Sequence, residues 1–293
     1  MVNKPVVVGV DGSPESLGAA EAAAREAVLR RVPLDVVHGF IWPYMRTVPL
    51  GPSDLGPIQG GLENEARQLV DDAVARSRKA VPGAEITGRV VTGSAAQVLI
   101  AAAHEASLVV VGDRGLGAFT GLLAGSVAVH VAAHAACPVL VVRGDADPVA
   151  PVLLATDGSP SADPAVGFAF EEASLRGTAL IALHAWRHPM SARPGDMQPL
   201  VYDEAVGREE EERVLAEALA GWREKFPDVV VRQQVTHGRI RRTIIDATAA
   251  AQLVVLGSRG HGGFTGLLLG SVSQAVLHHS ACPVVIVPSA VRH

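Results

Sequence analysis

Short aliphatic runs alternate with longer amphipathic stretches along the whole chain. Runs near 5–11, 33–40, 85–91, 107–112 and 138–143 are apolar almost without interruption. Such runs predict strands covered on both faces, whereas a half-exposed sheet would show strict alternation. Stretches near 15–31, 61–80, 95–106 and 126–136 carry helical spacing. Ser13-Pro14 supplies a cap residue followed by the proline that suits a first helical turn. Strand–helix alternation of this kind predicts an open parallel sheet with helices on both sides.

The chain then repeats itself once, with a period of about 145 residues, which marks a duplicated domain and not a solenoid. Val6-Val-Val-Gly-Val-Asp11-Gly-Ser-Pro14 matches Val152-Leu-Leu-Ala-Thr-Asp157-Gly-Ser-Pro160. Leu34 to Phe40 matches Leu180 to Trp186, and Cys137 to Val142 matches Cys282 to Val287. The polar, proline-containing stretch from Arg143 to Pro151 reads as the linker. Two domains are therefore expected, 1–146 and 147–293. A long charged helix is expected near 200–226, where Arg208-Glu-Glu-Glu-Glu-Arg213 reads as a solvated face. Ile41 to Gly60 and Trp186 to Pro199 lack regular periodicity. Each follows the second strand of its half, so each is a loop on the carboxyl edge of a parallel sheet. It covers a bound base or is simply a variable surface loop.

The most informative repeat is a glycine-rich segment. Gly112-Asp-Arg-Gly115-Leu-Gly117 continues to Gly125-Ser126-Val127, and Gly257-Ser-Arg-Gly260-His-Gly262 continues to Gly270-Ser271-Val272. Each copy lies between a β-branched run and a helical stretch. Glycines let the backbone approach a ligand closely, and the free N–H groups of a helix start favour an anion. Both segments therefore read as phosphate cradles. Neither is a P-loop, because neither contains the lysine, and neither is the dinucleotide fingerprint, because the first strands end in Asp-Gly-Ser-Pro.

Composition narrows the field further. The 293 residues are 48% hydrophobic and 19% charged, with a formal net charge of -5. That balance implies no general attraction to nucleic acid or to an anionic membrane. The first apolar run is too short for a secretory signal, and His130, His134 and Pro138 interrupt the longest one, so no membrane span and a cytoplasmic location are expected. Cys137 and Cys282 occupy equivalent places and fit neither a disulfide framework nor a metal site; both read as small buried residues. His130 and His134 stand four apart on a helix, but no carboxylate completes a ligand set and the second copy has Ala275 in place of His130. His38 and His184, at the end of the second strand of each half, read as structural histidines with a hydrogen-bond partner. No nucleophile elbow, zinc-protease motif or kinase signature occurs, so an enzymatic role is not expected beyond weak ATPase activity or autophosphorylation.

With the two Gly-x2-Gly-x9-Gly-Ser segments and the paired first-strand aspartates in view, the chain resembles a tandem universal stress protein over essentially its whole length. The segments are similar to the signature of the ATP-binding branch of that family. The resemblance implies an α/β fold of two tandem doubly wound domains, each a five-stranded parallel sheet of order 3-2-1-4-5. It implies ATP between strands 1 and 4, the switch point of such a sheet. Carried over by residue, Gly112, Gly115 and Gly117 close over ribose and phosphate, and Gly125, Ser126 and Val127 offer N–H groups and a hydroxyl. Gly257, Gly260, Gly262, Gly270, Ser271 and Val272 do the same in the second half. Asp11 and Asp157 meet ribose or a phosphate-bound Mg²⁺, a hard cation suited to carboxylate oxygens. Gly9 and Ala155 line the same edge, and Gly39 and Ala185 meet the adenine through the main chain. Arg114 and Arg259 neutralise phosphate charge. One departure stands out: Asp113 occupies the place of Ser258, and its carboxylate repels a triphosphate if it points inward.

Three readings of function follow. The first is a cytoplasmic, ATP-binding regulator of stress response or growth, with one ATP site per domain and a homodimeric assembly. The second is a slow ATPase or self-phosphorylating protein. The third is an interaction module with empty cradles: the aliphatic last strands would be exposed sheet edges unless paired, and the resemblance implies that they pair between halves or between chains.

Overall fold

The computed structural model of the chain describes residues 4–41, 58–115, 124–144, 147–187, 204–260 and 269–289. It divides into two compact units, Met1–Val142 and Arg143–His293. In the first unit the elements run β1 (Val6–Gly9), α1 (Pro14–Arg30), β2 (Leu34–Phe40), α2 (Ile58–Ala80), β3 (Ile86–Thr92), α3 (Ala95–Ala102), β4 (Leu108–Gly112), α4 (Ser126–His134) and β5 (Val139–Val142). The second unit repeats them as β6 (Val152–Ala155), α5 (Asp163–Arg176), β7 (Leu180–Trp186), α6 (Glu204–Lys225), β8 (Val231–His237), α7 (Ile240–Ala247), β9 (Leu253–Gly257), α8 (Ser271–His279) and β10 (Val284–Val287).

All strand pairs within each unit are parallel. The strand order is β3-β2-β1-β4-β5 in the first unit and, in the same sense, β8-β7-β6-β9-β10 in the second. Both units are thus doubly wound α/β domains of order 3-2-1-4-5. The central strands β1, β4, β6 and β9 are buried along their aliphatic runs: Val6, Val8, Val109, Val110, Leu154 and Val254 are fully shielded. The outermost strands β3 and β8 depart from this pattern. Most of their positions are exposed or half-buried, because only one neighbouring strand and one helix cover each.

Helix α1 lies against the sheet through Ala19, Ala20, Ala23, Ala24 and Ala27, all buried. Small side chains at this spacing let a helix backbone come close to a sheet of valines. Its start is the one the sequence predicts, with the Ser13 hydroxyl accepting from Ser16 N at 3.2 Å and Pro14 in the first turn. The second unit differs here. Ser159-Pro160 opens only a short 3₁₀ turn, Pro160–Ala162, and α5 begins at Asp163. Pro164 has no N–H to give the carbonyl of Pro160, so a continuous α-helix from Pro160 would lack a rung. The chain restarts the helix with Pro164 in its first turn, where no N–H is needed.

Among the described residues no helix is long and apolar enough to cross a membrane.

Candidate functional site

In each unit the first-strand aspartate is held by the turn that follows it. Asp11 Oδ1 accepts from Ser13 N at 3.0 Å and from Ser13 Oγ at 2.6 Å. Asp157 Oδ1 accepts from Ser159 N and Oγ at the same two distances. Gly12 and Gly158 supply the positive φ, +84° and +72°, that this turn requires. The other carboxylate oxygen of each aspartate faces the glycine loop. A β-carbon on Gly260 would lie 2.6 Å from Asp157 Oδ2, and one on Gly115 would collide likewise with Asp11 Oδ2. The loop glycines are therefore needed for contact with the aspartates, not only for turning.

The loops themselves are closed at the neck. Gly125 N donates to Asp113 O at 2.6 Å, and Gly270 N donates to Ser258 O at 2.7 Å. These bonds deliver the chain into α4 and α8 with Gly125 and Gly270 at the N-cap. Neither helix carries a side-chain cap. The first N–H groups of a helix have no partner inside it, so those of Ser126, Val127 and Ala128 are directed out of the helix end.

In the first unit these pieces meet around one crevice of about 430 Å³. It lies at the carboxyl ends of β1 and β4, where the order of the parallel strands reverses. Gly9 and Asp11 from β1 and its turn, Gly112, Arg114 and Gly115 from the loop, Gly125, Ser126 and Val127 from the start of α4, and Gly39 from β2 all line it. Gly117 and Gly262 lie outside the described residues, as does most of the segment from Ile41 to Gly60. Of the segment from Trp186 to Pro199, Trp186 is the last residue of β7, Arg187 follows it, and the remainder lies outside the described residues.

Asp113 takes neither of the two orientations weighed from the sequence. It is 5% exposed, so it does not reach solvent, and it is not part of the crevice wall. Its carboxylate stands 3.6 Å from Arg114 Nε. Ser258, its counterpart, is bonded to Ser289 N at 3.2 Å instead. Arg114 is 53% exposed at the side chain, at the lip of the crevice.

Sequence reasoning missed seven residues of this wall: Val10, Val37, Val111 and Ala128, which adjoin predicted positions or pair with them, and Ser16, Ala95 and Leu99. The Ser16 hydroxyl accepts from Asp11 N at 3.3 Å and donates to Ser13 O at 2.9 Å. It reads in sequence as an ordinary first-turn serine, and the second unit has Ala162 there. Ala95 and Leu99 are apolar residues on α3 with no chemical signature.

The two histidines at the strand ends are structural, as expected, but they are not alike. His38 Nδ1 donates to Val10 O at 2.8 Å and His184 Nδ1 to Thr156 O at 2.9 Å. Each pins the carbonyl just before the aspartate. His184 Nε2 also meets Glu211 Oε2 on α6 at 2.8 Å. Gly12 faces Leu69 as Gly158 faces Val214, so the place of Glu211 falls to buried Ala66 in the first unit. His130 and His134 lie with ring centroids 4.3 Å apart, and His134 Nδ1 donates to His130 O. No cluster of three His, Cys, Asp or Glu able to hold a metal occurs among the described residues. Cys137 and Cys282 are buried thiols, pushed up to about 11 by desolvation.

The model of the universal stress protein family matches residues 3–143 and again residues 149–288. The chain belongs to that family. A universal stress protein of Mycobacterium tuberculosis is 42% identical over 296 residues, covering 96% of each chain. One of Mycolicibacterium smegmatis is 39% identical over 289 residues, again covering 96% of each. Among solved structures, a universal stress protein from Archaeoglobus fulgidus superposes with a TM-score of 0.70 at 20% identity, covering 98% of this chain and 99% of that one. The last likeness concerns the fold. As a universal stress protein with two family domains, the chain presents the same aspartate–loop–helix constellation twice.

Proposed function

We propose that this universal stress protein binds ATP, one molecule per unit, and acts as a nucleotide-dependent regulator in the cytoplasm. The observation that carries the reading is the crevice of about 430 Å³ in the first unit, into which the uncapped start of α4 opens. Its size falls in the range of small-molecule sites. Its walls divide as a nucleotide requires. At one end, backbone N–H groups of Ser126, Val127 and Ala128, with Arg114 at the lip, suit the phosphates. At the other, Gly39, Ala95 and Leu99 offer an apolar and main-chain surface to a base. Asp11 lies between them, where a ribose hydroxyl would donate to it.

The second unit holds Asp157, Gly260, Gly270 and Ser271 in the matching arrangement, with Gly257, Arg259 and Val272 on the same loop and helix start and Ala155 and Ala185 at the strand ends. A Mg²⁺ ion would take its ligands largely from the phosphates, with one carboxylate from Asp11 or Asp157, because among the described residues no cluster of further ligands surrounds these aspartates. Assembly as a homodimer and control of stress response or growth complete the proposal.

Titration calorimetry with ATP, with and without Mg²⁺, tests it on protein freed of carried-over nucleotide. Two ATP per chain are expected. A stoichiometry near zero would sink the proposal, and ADP formed faster than in buffer would replace the regulator with an enzyme.

A further inference from the structure

The geometry points to two unequal nucleotide sites, with the first unit the tighter and the exchange of Gly9 and Gly39 for Ala155 and Ala185 the cause. This inference rests on the ATP-binding reading and sharpens it. In the first unit, α3 sits directly on the strand ends. A β-carbon on Gly39 would lie 2.7 Å from Ala95 Cα and 2.9 Å from Ala95 N, and one on Gly9 would lie 2.6 Å from Leu99 Cδ1. Carbon atoms in contact stand roughly 3.5–4 Å apart, so a methyl on Gly9 requires the Leu99 side chain to turn and one on Gly39 requires the helix to move. The contact on Gly39 involves backbone on both sides, so no side-chain rotation can relieve it.

The second unit carries both methyls. Strand register makes the correspondence firm: Gly9 pairs with Val37 as Ala155 pairs with Leu183, and Gly39 pairs with Val91 as Ala185 pairs with Thr236. Ala155 is 7% and Ala185 9% exposed, so their methyls are packed into the wall and do not point to solvent. The start of α7 must therefore stand roughly 1 Å further from the strands than the start of α3 does. Ile240 and Ile244 then occupy the places of Ala95 and Leu99. Two methyls and the larger, β-branched Ile240 replace a surface that was glycine backbone and alanine. The base end of the second unit's site thus loses exposed main chain to the two methyls and room to the larger Ile240. A single methylene in an apolar pocket changes affinity by about 10–200-fold, so a gap of at least tenfold between the sites is expected.

Calorimetry with ATP on the full chain tests this. Wild-type protein should show two classes of site at least tenfold apart. Gly115→Val should remove the tight class and Gly260→Val the weak one. The milder exchanges Gly39→Ala and Ala185→Gly, with thermal melts to confirm folding, should narrow the gap from opposite sides. Two equal sites, or loss of the tight class in Gly260→Val, would overturn the inference while leaving ATP binding intact. Absence of binding in every variant and in wild type would overturn both.

Discussion

Gly260 stands against Asp157 so closely that a β-carbon on it would lie 2.6 Å from the carboxylate, and Gly115 stands in the same relation to Asp11. The loop and the strand-end aspartate are thus one unit, although about 100 residues separate them in sequence. Gly115→Ala should force either the loop or the carboxylate aside. ATP affinity at the first site should fall at least tenfold, since displacement of a positioning group by about 1 Å has costs on that scale. Asp11→Ala should remove the collision. In a double-mutant cycle read by urea unfolding, the two changes should therefore couple by about 1 kcal/mol or more. Strict additivity would show that the contact does not matter to the fold.

Arg31 ends α1 with φ 56°, the only non-glycine residue at positive φ among those described, whereas Gly177 ends α5 at φ 61°. A side chain in this conformation is disfavoured by roughly 1–2 kcal/mol. Arg31→Gly should stabilise the protein by up to about 1 kcal/mol, the gain being reduced by glycine's greater freedom when unfolded. Chemical denaturation measures it, and a loss of stability would mean that Arg31 contributes a contact worth more than the strain.

Trp222 lies over Gly167, where a β-carbon would meet Trp222 Cζ2 at 2.6 Å, and its indole N–H donates to Asp163 Oδ1 at 2.8 Å. This contact docks α6 on α5. Gly167→Ala should cost about 1–3 kcal/mol by overpacking. The penalty should vanish in a Trp222→Ala background, a comparison that separates the collision from any change in helix propensity.

Burial raises the Cys137 and Cys282 thiols from 9.0 to about 11. The native thiols should react slowly with a disulfide reagent near pH 8 and rapidly once the chain is unfolded. The sign for stability follows from the proton count. Between these two values the unfolded thiols ionise while the folded ones stay protonated, so the folded state binds more protons. Stability is fully present below pH 9 and is lost as pH rises toward 11. Cys137→Ala and Cys282→Ala should flatten that slope, followed as Tm against pH.

Much of the fold was legible because the features that build it are local. Uninterrupted runs such as Leu108 to Val111 announce strands with two covered faces, and Ser13-Pro14 announces a helix start. The later start of α5 at Asp163 was not read from the sequence, although the missing N–H of Pro164 accounts for it. The glycine loops were legible for a related reason. A backbone that must turn sharply or meet another group at close range excludes side chains, and that exclusion leaves a mark in sequence.

By itself, then, the sequence determined the doubled α/β scheme, the strand–loop–helix frame of each glycine-rich segment and the pairing of one aspartate with each. Tertiary structure alone decided the rest. It placed Ser16, Ala95 and Leu99 in the crevice wall, turned Asp113 into the protein and away from both crevice and solvent, and set Glu211 against His184 where the first unit has Ala66. It also revealed that the backbone of α3 excludes a side chain at Gly39, where the second unit has Ala185. Periodicity and backbone exclusion are properties of a few neighbouring residues. Which side chain meets which across the crevice depends on the distance between a helix and a strand far apart in the chain, and packing sets that distance.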